Sequence, residues 1–586
     1  MSRSSRLLFT AALAAPLAGL ALAGCATTPN SGATAALTPP PAAAQPSTGS
    51  SNYGLFLAGE SALQDGRAED ASRYFSRAAE GSADLSPADR ALIREKAFET
   101  AVMAGEIERA VTLVPAADVP VGAAPQRLAR LVKTVDAFSA GRNKEAHEII
   151  TGPGGGVAFA GGLVLLRPWV AAAAGDVDAS LSTTEAPGPR LTRLSALEGQ
   201  ALLLERAKRY DEAEKDYKIL TGNAQLGALY AGSYGAFLER RGRPKDAAEL
   251  YGEILKRAPN DRDMKRAFAR ASTGKRAPPM MTLKQGAAKA LTAAAELALV
   301  NKQINEGEVY LRLALKLDPV RDEAWVLLGD IRASSDQHDS ARDAYGHVAA
   351  ASPNWSQARQ RIVSSYQAQG DNETALKLAR DLIKAQPDDR DALIAEADLL
   401  RATNRYGEAV TVLDKIIAAG PSNGDWALYF ERGTSLDRAG RWPEAEKDLL
   451  KALTLQPDEP DVLNYLGYSW VVRGEKLQQA MNMLQKAFQA QPQSGEIADS
   501  LGWAYYSMGD YKTAVQRLER AVSLSPVSPE ITDHLGDAYW RAGRKTEAQY
   551  QWSRVLTLQP TEELKTSAQQ KLSSGLMAPV AAATRS

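Results

Sequence analysis

The fold is decided by two consecutive stretches, GEIADSLGWAYYSMGDYKTAVQRLERAVSLSPVS at residues 495–528 and PEITDHLGDAYWRAGRKTEAQYQWSRVLTLQPTE at residues 529–562. Identical residues recur in them at a separation of 34 positions: Gly502 and Gly536, Ala514 and Ala548, Pro526 and Pro560. A chain that repeats itself every 34 residues is a stack of similar units.

Prolines carry the period upstream through eight units, at separations of 34 to 36 residues. They are Pro319, Pro353, Pro387, Pro421, Pro457, Pro492, Pro526 and Pro560. Within each unit, apolar residues recur at steps of three and four, which is typical of amphipathic helices. A glycine interrupts this pattern near the middle of the unit, as at Gly440, Gly474, Gly509 and Gly543. Each unit is therefore predicted to be a pair of helices, of which the second ends at the proline.

In the unit that begins at Asp322, the spacing is carried by Trp325, Leu328, Gly329, Ala341, Tyr345 and Pro353. This pattern resembles the tetratricopeptide repeat (TPR), whose signature is W-x2-L-G-x2-Y, then A-x3-F, then P. The resemblance covers about residues 286–562. It implies an all-α fold, a right-handed TPR superhelix (α-solenoid) of about twelve helical hairpins in two subarrays.

The repeats weaken toward the N-terminus, where Gly235, Leu238, Ala247 and Tyr251 make one good copy. We expect a degenerate array at residues 52–270, a junction at 271–285, a second array with a capping helix at 286–572 and a disordered tail at 573–586. In a solenoid each hairpin covers only its neighbours. Local burial is therefore expected in place of one large interior.

The N-terminus has the architecture of a secretory signal, because Arg3 and Arg6 precede an apolar run that is short for a membrane span. The run ends in Leu22-Ala23-Gly24-Cys25, and Cys25 is the only cysteine of the chain. This motif resembles the lipobox of bacterial lipoproteins. The resemblance implies a signal peptide at residues 1–24 and a lipid on Cys25. Two alternatives are an ordinary cleavage site, which leaves a soluble periplasmic protein, and an uncleaved anchor.

Residues 25–51 contain no charged residue and are rich in Ala, Pro, Thr and Ser. Such a composition predicts a flexible tether. No aspartate follows Cys25 directly. By resemblance to Gram-negative lipoproteins, this favours an outer-membrane anchor with the repeats facing the periplasm.

Sequence motifs for chemistry are scarce. The four histidines, His147, His338, His347 and His534, have no metal-binding spacing, so we expect no metal and no cofactor. The glycines near Gly152 are predicted to form a plain loop, because no Gly-Lys-Ser follows them. The formal net charge of −1 gives no pull toward nucleic acid. The sequence therefore predicts a protein that is not an enzyme.

In tetratricopeptide arrays the first helix of each unit lines a groove that binds proteins or peptides. By that resemblance the predicted partner-binding residues are Asn464, Tyr468, Asp499, Trp503, Tyr506, Asp533, Asp537 and Trp540. The aspartates are expected to be exposed in the groove. The two tryptophans could equally pack between neighbouring hairpins. A clamp for a terminal carboxylate is not favoured, because these positions carry mostly acids.

The layout of lipobox, tether and repeats is similar to that of outer-membrane lipoproteins that act as adaptors. This resemblance implies a membrane-anchored scaffold that recruits periplasmic partners, among them a C-terminal-processing protease and its cell-wall hydrolase substrates. The alternative is a structural component of envelope assembly or polysaccharide export. The oligomeric state cannot be read from the sequence.

Overall fold

The computed structural model describes residues 51–80, 85–114, 123–152, 159–182, 189–222, 226–259, 261–420 and 426–576. These residues form thirty α-helices, and no strand occurs among them. The prediction of an all-helical repeat array is confirmed. The signal peptide, Cys25, nearly all of the tether and residues 577–586 of the predicted tail lie outside the described residues.

The chain divides into two compact units, of which the first ends at Leu378 and the second begins at Ala379. The first unit contains α1 Asn52–Gln64, α2 Ala68–Glu80, α3 Pro87–Met103, α4 Ile107–Leu113, α5 Ala123–Ser139, α6 Asn143–Thr151, α7 Ala160–Ala174, α8 Val177–Leu181, α9 Arg190–Arg206, α10 Tyr210–Thr221, α11 Gly227–Arg240, α12 Pro244–Arg257, α13 Arg262–Ser272, α14 Leu283–Val300, α15 Ile304–Leu317, α16 Asp322–Ser334, α17 His338–Gly346 and α18 Trp355–Ala368. Helix α19, Asn372–Ala385, contains the boundary.

The second unit contains α20 Arg390–Ala402, α21 Tyr406–Ala418, α22 Trp426–Arg438, α23 Trp442–Leu455, α24 Pro460–Arg473, α25 Leu477–Ala490, α26 Gly495–Ser507, α27 Tyr511–Leu524, α28 Pro529–Arg541, α29 Lys545–Val555 and α30 Glu562–Ser574. In chain order, the described helices form fourteen consecutive pairs and two single helices, α13 and α30. The sequence predicts about twelve pairs. Helices α4 and α8 have only seven and five residues, and they carry no recognisable signature.

The repeat signature works by placing a small residue opposite a large one. A Cβ atom added to Gly329 would lie 2.3 Å from the ring of Tyr345, and one added to Gly536 would lie 2.5 Å from the indole of Trp552. The two helices of each hairpin can approach closely because glycine has no side chain at the crossing point. Ala341 fills the adjacent position and is fully buried. The predicted packing of this hairpin is therefore correct.

The predicted breaks between the two helices are also present. Gly440, Gly474, Gly509 and Gly543 all have φ between 70° and 84°. A residue in this left-handed region ends a helix, and glycine adopts it without steric cost. Each of these hairpins therefore turns at the glycine that the sequence indicates.

The core of the first unit differs from the predicted local burial. One continuous hydrophobic cluster joins residues from Phe98 to Ala344, and helices α14 and α15 contribute much of it. Helix α14 packs on α7 and α9, and α15 packs on α3 and α5. The expectation that every hairpin covers only its neighbours is therefore wrong for this unit. Residues 271–285, the predicted junction between subarrays, lie inside the first unit.

Helix α14 has this position because its sequence is apolar on most sides, and such helices are buried. Gly286 lies against Trp169 of α7, so closely that an added Cβ would be 2.0 Å from the ring. The amide of Gly162 donates to the Tyr310 hydroxyl at 3.1 Å, across 148 residues of sequence. A 34-residue repeat pattern does not predict contacts between residues that are this far apart in the sequence.

The second unit has the local burial expected of a solenoid. Its hydrophobic clusters each join adjacent hairpins, as in the cluster of Ala514, Leu518, Leu535 and Trp552. Leu572 and Leu576 pack against this same cluster. The predicted disordered tail therefore begins too early, because α30 continues to Ser574 and the ordered chain to Leu576.

Candidate partner-binding face

The first helices of successive hairpins in the second unit lie side by side. We call the surface formed by α20, α22, α24, α26 and α28 the first-helix face. Helix α26 contacts both α24 and α28. The hydroxyl of Tyr465 on α24 donates to Asp437 on α22 at 2.9 Å. Because the repeats are in register, equivalent positions of neighbouring helices form rows across this face.

Trp503 packs between hairpins. Its ring is stacked on Tyr506 of the same helix, at 4.5 Å between ring centres, and on His534 of α28, at 4.1 Å. Tyr506 in turn contacts Tyr511 edge to face at 5.5 Å. Rings from its own helix and from the next hairpin are therefore stacked on the indole. The two alternatives for Trp503 were exposure in the groove and packing between neighbouring hairpins, and the structure shows it packed.

Asp499 is buried and paired with His534. The Nδ1 atom of His534 lies 2.9 Å and 3.0 Å from the two carboxylate oxygens of Asp499. Burial disfavours the charged imidazole, but the carboxylate of Asp499 outweighs this effect and raises the pKa of His534. The charge of Asp499 is thus compensated within the face.

Asp533 and Asp537 share one lysine from the last helix. The Nζ atom of Lys571 lies 2.6 Å from Oδ2 of Asp533 and 2.8 Å from Oδ1 of Asp537. Trp552 also donates to Asp537, at 2.9 Å. Burial, followed by the charge of Asp533, raises the pKa of Asp537. The prediction of exposed aspartates is wrong for Asp499, Asp533 and Asp537, whose exposed fractions are 7%, 6% and 6%.

Trp540 lies at the same end of the face and is half-buried. Its ring centre is 5.3 Å from that of Trp552, and the ring lies so close to Gly575 that an added Cβ there would be 2.1 Å away. Packing against the hairpin and the last turn of the chain therefore describes Trp540 as well. Helix α30 and Gly575 together fill this end of the face.

Polar atoms in the middle of the face are also incompletely paired. Asn464 and Tyr468 of α24 are half-buried. The side-chain oxygen of Asn464 and the Oε2 atom of Glu431 on α22 are buried, and neither has a hydrogen-bond partner among the described residues. The Oδ1 atom of Asp533, at the end of the face, is in the same state. Such acceptors cost free energy unless a donor reaches them.

Charge in this middle segment is also uncompensated. Arg401 lies 3.4 Å from Oδ1 of Asp398 and 4.0 Å from Oε2 of Glu431, so one cation faces two carboxylates. Burial and then the charge of Asp398 raise the pKa of Glu431 to about 7. Burial also raises the pKa of Asp398.

Sequence reasoning missed these residues. Glu431 and Asp398 occupy positions outside the repeat signature, and Lys571 belongs to a helix predicted only as a cap. The signal for Lys571 was the set of three aspartates on α26 and α28, which require a cation if they are buried.

Family models support the repeat assignment directly. Tetratricopeptide repeat models match residues 196–264, 361–424, 430–494 and 502–543. The chain is a tetratricopeptide repeat protein. Proteins of this kind are scaffolds for protein–protein interaction and are generally not catalytic.

Relatives of this TPR protein match over short stretches. A TPR repeat-containing protein of Pseudomonas aeruginosa is 27% identical over 116 residues, which are 20% of this chain and 19% of the relative. The lipoprotein NlpI homolog of Haemophilus influenzae is 33% identical over 106 residues, which are 18% of this chain and 33% of the relative. The chain thus spans about a fifth and a third of the lengths of these curated relatives.

Two solved structures also match this chain at low identity. The Cut9–Hcn1 hetero-tetramer structure matches 90% of this TPR protein and 97% of the solved chain, at 16% identity and a TM-score of 0.37. YrrB, whose structure is described as a TPR protein with an unusual peptide-binding site, matches 33% of this chain and 97% of its own, at 20% identity and a TM-score of 0.26.

No group of three or more His, Cys, Asp or Glu side chains among the described residues could hold a metal ion. None of the described helices is both long enough and apolar enough to span a bilayer.

Proposed function

We propose that this TPR protein is a membrane-anchored scaffold that binds periplasmic partners on the first-helix face of its second unit. The observation that carries the proposal is the middle segment of the face, where one oxygen each of Glu431 and Asn464 is buried without a hydrogen-bond partner among the described residues. A bound polypeptide would supply the missing donors. The last two hairpins complete the face and hold its shape through Asp499, Asp533 and Lys571.

Anchoring rests on the N-terminal sequence. Cys25 follows Leu22-Ala23-Gly24 and is the only thiol of the chain, which is the arrangement expected for lipidation. The similarity to a lipoprotein of Haemophilus influenzae supports this proposal, although it covers only 18% of the chain. With an acylated Cys25, the repeats would be tethered to the periplasmic face of the outer membrane.

The proposed partners are a C-terminal-processing protease and the cell-wall hydrolases that it degrades. A scaffold of this kind would hold enzyme and substrate together at the membrane and would perform no chemistry itself. A role in envelope assembly or polysaccharide export is the competing hypothesis. Deletion of the gene separates the two, because only the adaptor role predicts slower turnover of particular wall hydrolases.

Capture from detergent-solubilised membranes tests the binding face. The double variant Glu431→Ala, Asn464→Ala should recover at least about fivefold less protease and hydrolase than the native chain. Its matched control is Glu444→Ala, Asn482→Ala, which removes an exposed glutamate and an exposed asparagine from the second helices α23 and α25. Equal loss in both variants, or recovery of no protease and no hydrolase by the native chain, would contradict the proposal.

Anchoring is tested separately by labelling with radioactive palmitate. The native chain should take up label and sediment with the outer membrane, and a Cys25→Ala variant should do neither. Label on the Cys25→Ala variant would exclude acylation at this thiol.

A further inference from the structure

The first unit holds one of its own segments against its first helices. Residues 275–282, which we call the strap, connect α13 to α14 and form no helix. Pro278, Pro279 and Met281 of the strap line a cavity of about 640 Å³. The rest of the cavity wall comes mainly from α9, α11 and α13, with further residues from α14 and the start of α16.

Two arginines hold the strap through its backbone. The Nη2 atom of Arg206 donates to the carbonyl of Met281 at 2.6 Å, and Nη1 of Arg240 donates to the carbonyl of Pro278 at 3.3 Å. Arg206 is the last residue of α9 and Arg240 the last of α11, so they are 34 residues apart and occupy equivalent positions of consecutive repeats.

The spacing of these donors matches an extended chain. Arg206 and Arg240 lie one repeat apart, and their guanidinium groups reach these two carbonyls. The two carbonyls are three residues apart, and three extended residues span about 10 Å. One repeat of the array therefore corresponds to three residues of ligand.

The donor on α11 is also fixed in place before any ligand arrives. Arg240 uses Nε and Nη2 to bind both carboxylate oxygens of Glu205, each at 2.7 Å, and Glu205 is 2% exposed. The planar guanidinium is thereby oriented, and its remaining nitrogen points to the strap. An orienting pair of this kind is typical of a preorganised binding site.

We propose that the face formed by α9, α11 and α13 binds an extended, proline-containing segment of a partner protein, and that the strap is an internal ligand which occupies this face. Recognition is directed at backbone carbonyls, which proline leaves free in the polyproline II conformation. Leu202, Tyr230 and Met264 line the remaining cavity, which lies in the size range of ligand pockets. This surface is separate from the first-helix face of the second unit.

The test uses the full chain and a fluorescent synthetic peptide with the sequence of residues 272–284, STGKRAPPMMTLK. In one variant, residues 276–281 are replaced by six alternating Gly and Ser residues, which keeps the length of the connection. We expect this variant to bind the peptide at least tenfold more tightly than the native chain, whose own strap competes. A milder variant, Pro278→Gly with Pro279→Gly, should show an intermediate affinity.

A matched pair of substitutions shows whether carbonyl capture is the mechanism. In the Gly/Ser variant, Arg206→Ala should weaken peptide binding at least fivefold. Arg257→Ala removes an exposed arginine from the end of the neighbouring second helix α12 and should leave binding unchanged. Circular dichroism identifies the variants that are folded. The proposal is overturned if neither folded strap variant binds the peptide, if the native chain binds it equally well, or if both arginine substitutions have the same effect.

Discussion

Glycine and its opposing side chain form the smallest functional element of this array. At Gly536 a methyl group would overlap the indole of Trp552, which is fully buried and donates to Asp537. Any side chain there must push the two helices of the hairpin apart or displace the indole. A change in the separation of the two helices at Gly536 would therefore also disturb the hydrogen bond from Trp552 to Asp537.

Replacing Gly536 by alanine should destabilise the second unit by about 1–3 kcal/mol, because the crossing point becomes overpacked. Denaturant titration measures the change as a lower midpoint. Gly407→Ala is the control, since nothing lies within 4 Å of a Cβ at that helical position. This control should be neutral or more stable by up to about 1 kcal/mol, as alanine favours the helix. A destabilised Gly407→Ala would show that the loss at Gly536 is not caused by the indole.

His534 makes part of the stability depend on pH. Its folded-state pKa is raised above the unfolded value of about 6.5, since Asp499 and the nearby Asp533 and Asp537 favour the imidazolium despite burial. The stabilisation is fully present below pH 6.5 and is lost as the pH rises through the raised folded-state value.

The variant His534→Gln should therefore be less stable than the native chain by about 1–3 kcal/mol at pH 6. The difference should shrink as the pH rises to 9. Thermal unfolding at a series of pH values gives this profile. In an Asp499→Asn background the same substitution should show a weaker dependence on pH, and an unchanged profile there would contradict the assigned partner.

At the scale of elements, helix α30 closes the array with a charge as well as with apolar side chains. Lys571 is the cation shared by Asp533 and Asp537, and its side chain is 14% exposed. Its pKa is raised because the two aspartates outweigh the effect of burial. Removing it would leave two buried carboxylates without their cation.

Lys571→Met should cost about 3–5 kcal/mol in the stability of the last hairpin, because breaking a buried pair leaves charge uncompensated. Hydrogen exchange should rise in α28 and α30. Lys565→Met on the same helix breaks a pair with Glu562 whose two side chains are 45% and 80% exposed. That control should cost less than about 1 kcal/mol. Similar exchange in the two variants would mean that the shared lysine does not secure the helix.

The sequence predicts the contacts within each hairpin of the second unit, but it does not predict which polar side chains become buried. Gly502 and its partner Leu518 are predictable because the repeat period fixes which residues face each other within a hairpin. The burial of Asp533 is not, since it depends on a lysine outside the period. The same limit applies to Glu431, whose orphan oxygen is a property of the assembled face.

At the scale of the whole molecule, the two units bury their cores by different rules. In the first unit Trp169 of α7 packs against Gly286 of α14, although more than a hundred residues separate them. In the second unit the cluster that contains Leu518 joins residues of its own hairpin, of the next hairpin and of the end of the array. A repeat pattern predicts the local cores of the second unit. It does not predict the long-range core of the first unit, because those contacts do not recur with the repeat period.

Two large-to-small substitutions should reveal this difference through hydrogen exchange. Trp169→Ala should cost about 3–5 kcal/mol and raise exchange in α7 and α14 together. Leu518→Ala should cost about 2–5 kcal/mol and raise exchange in α26 to α29 without affecting α20 and α21. Faster exchange that stays within α7 after Trp169→Ala would contradict the continuous core.

The bond between the amide of Gly162 and the hydroxyl of Tyr310 has a consequence for how such a chain can evolve. An open stack tolerates duplication or loss of a hairpin, because the neighbours simply meet a new copy of the same surface. When residues far apart in the sequence must be in contact, an added hairpin between them would move one of the two residues away from the other. The number of repeats in the first unit is therefore fixed by geometry, whereas the second unit could lengthen by gene duplication.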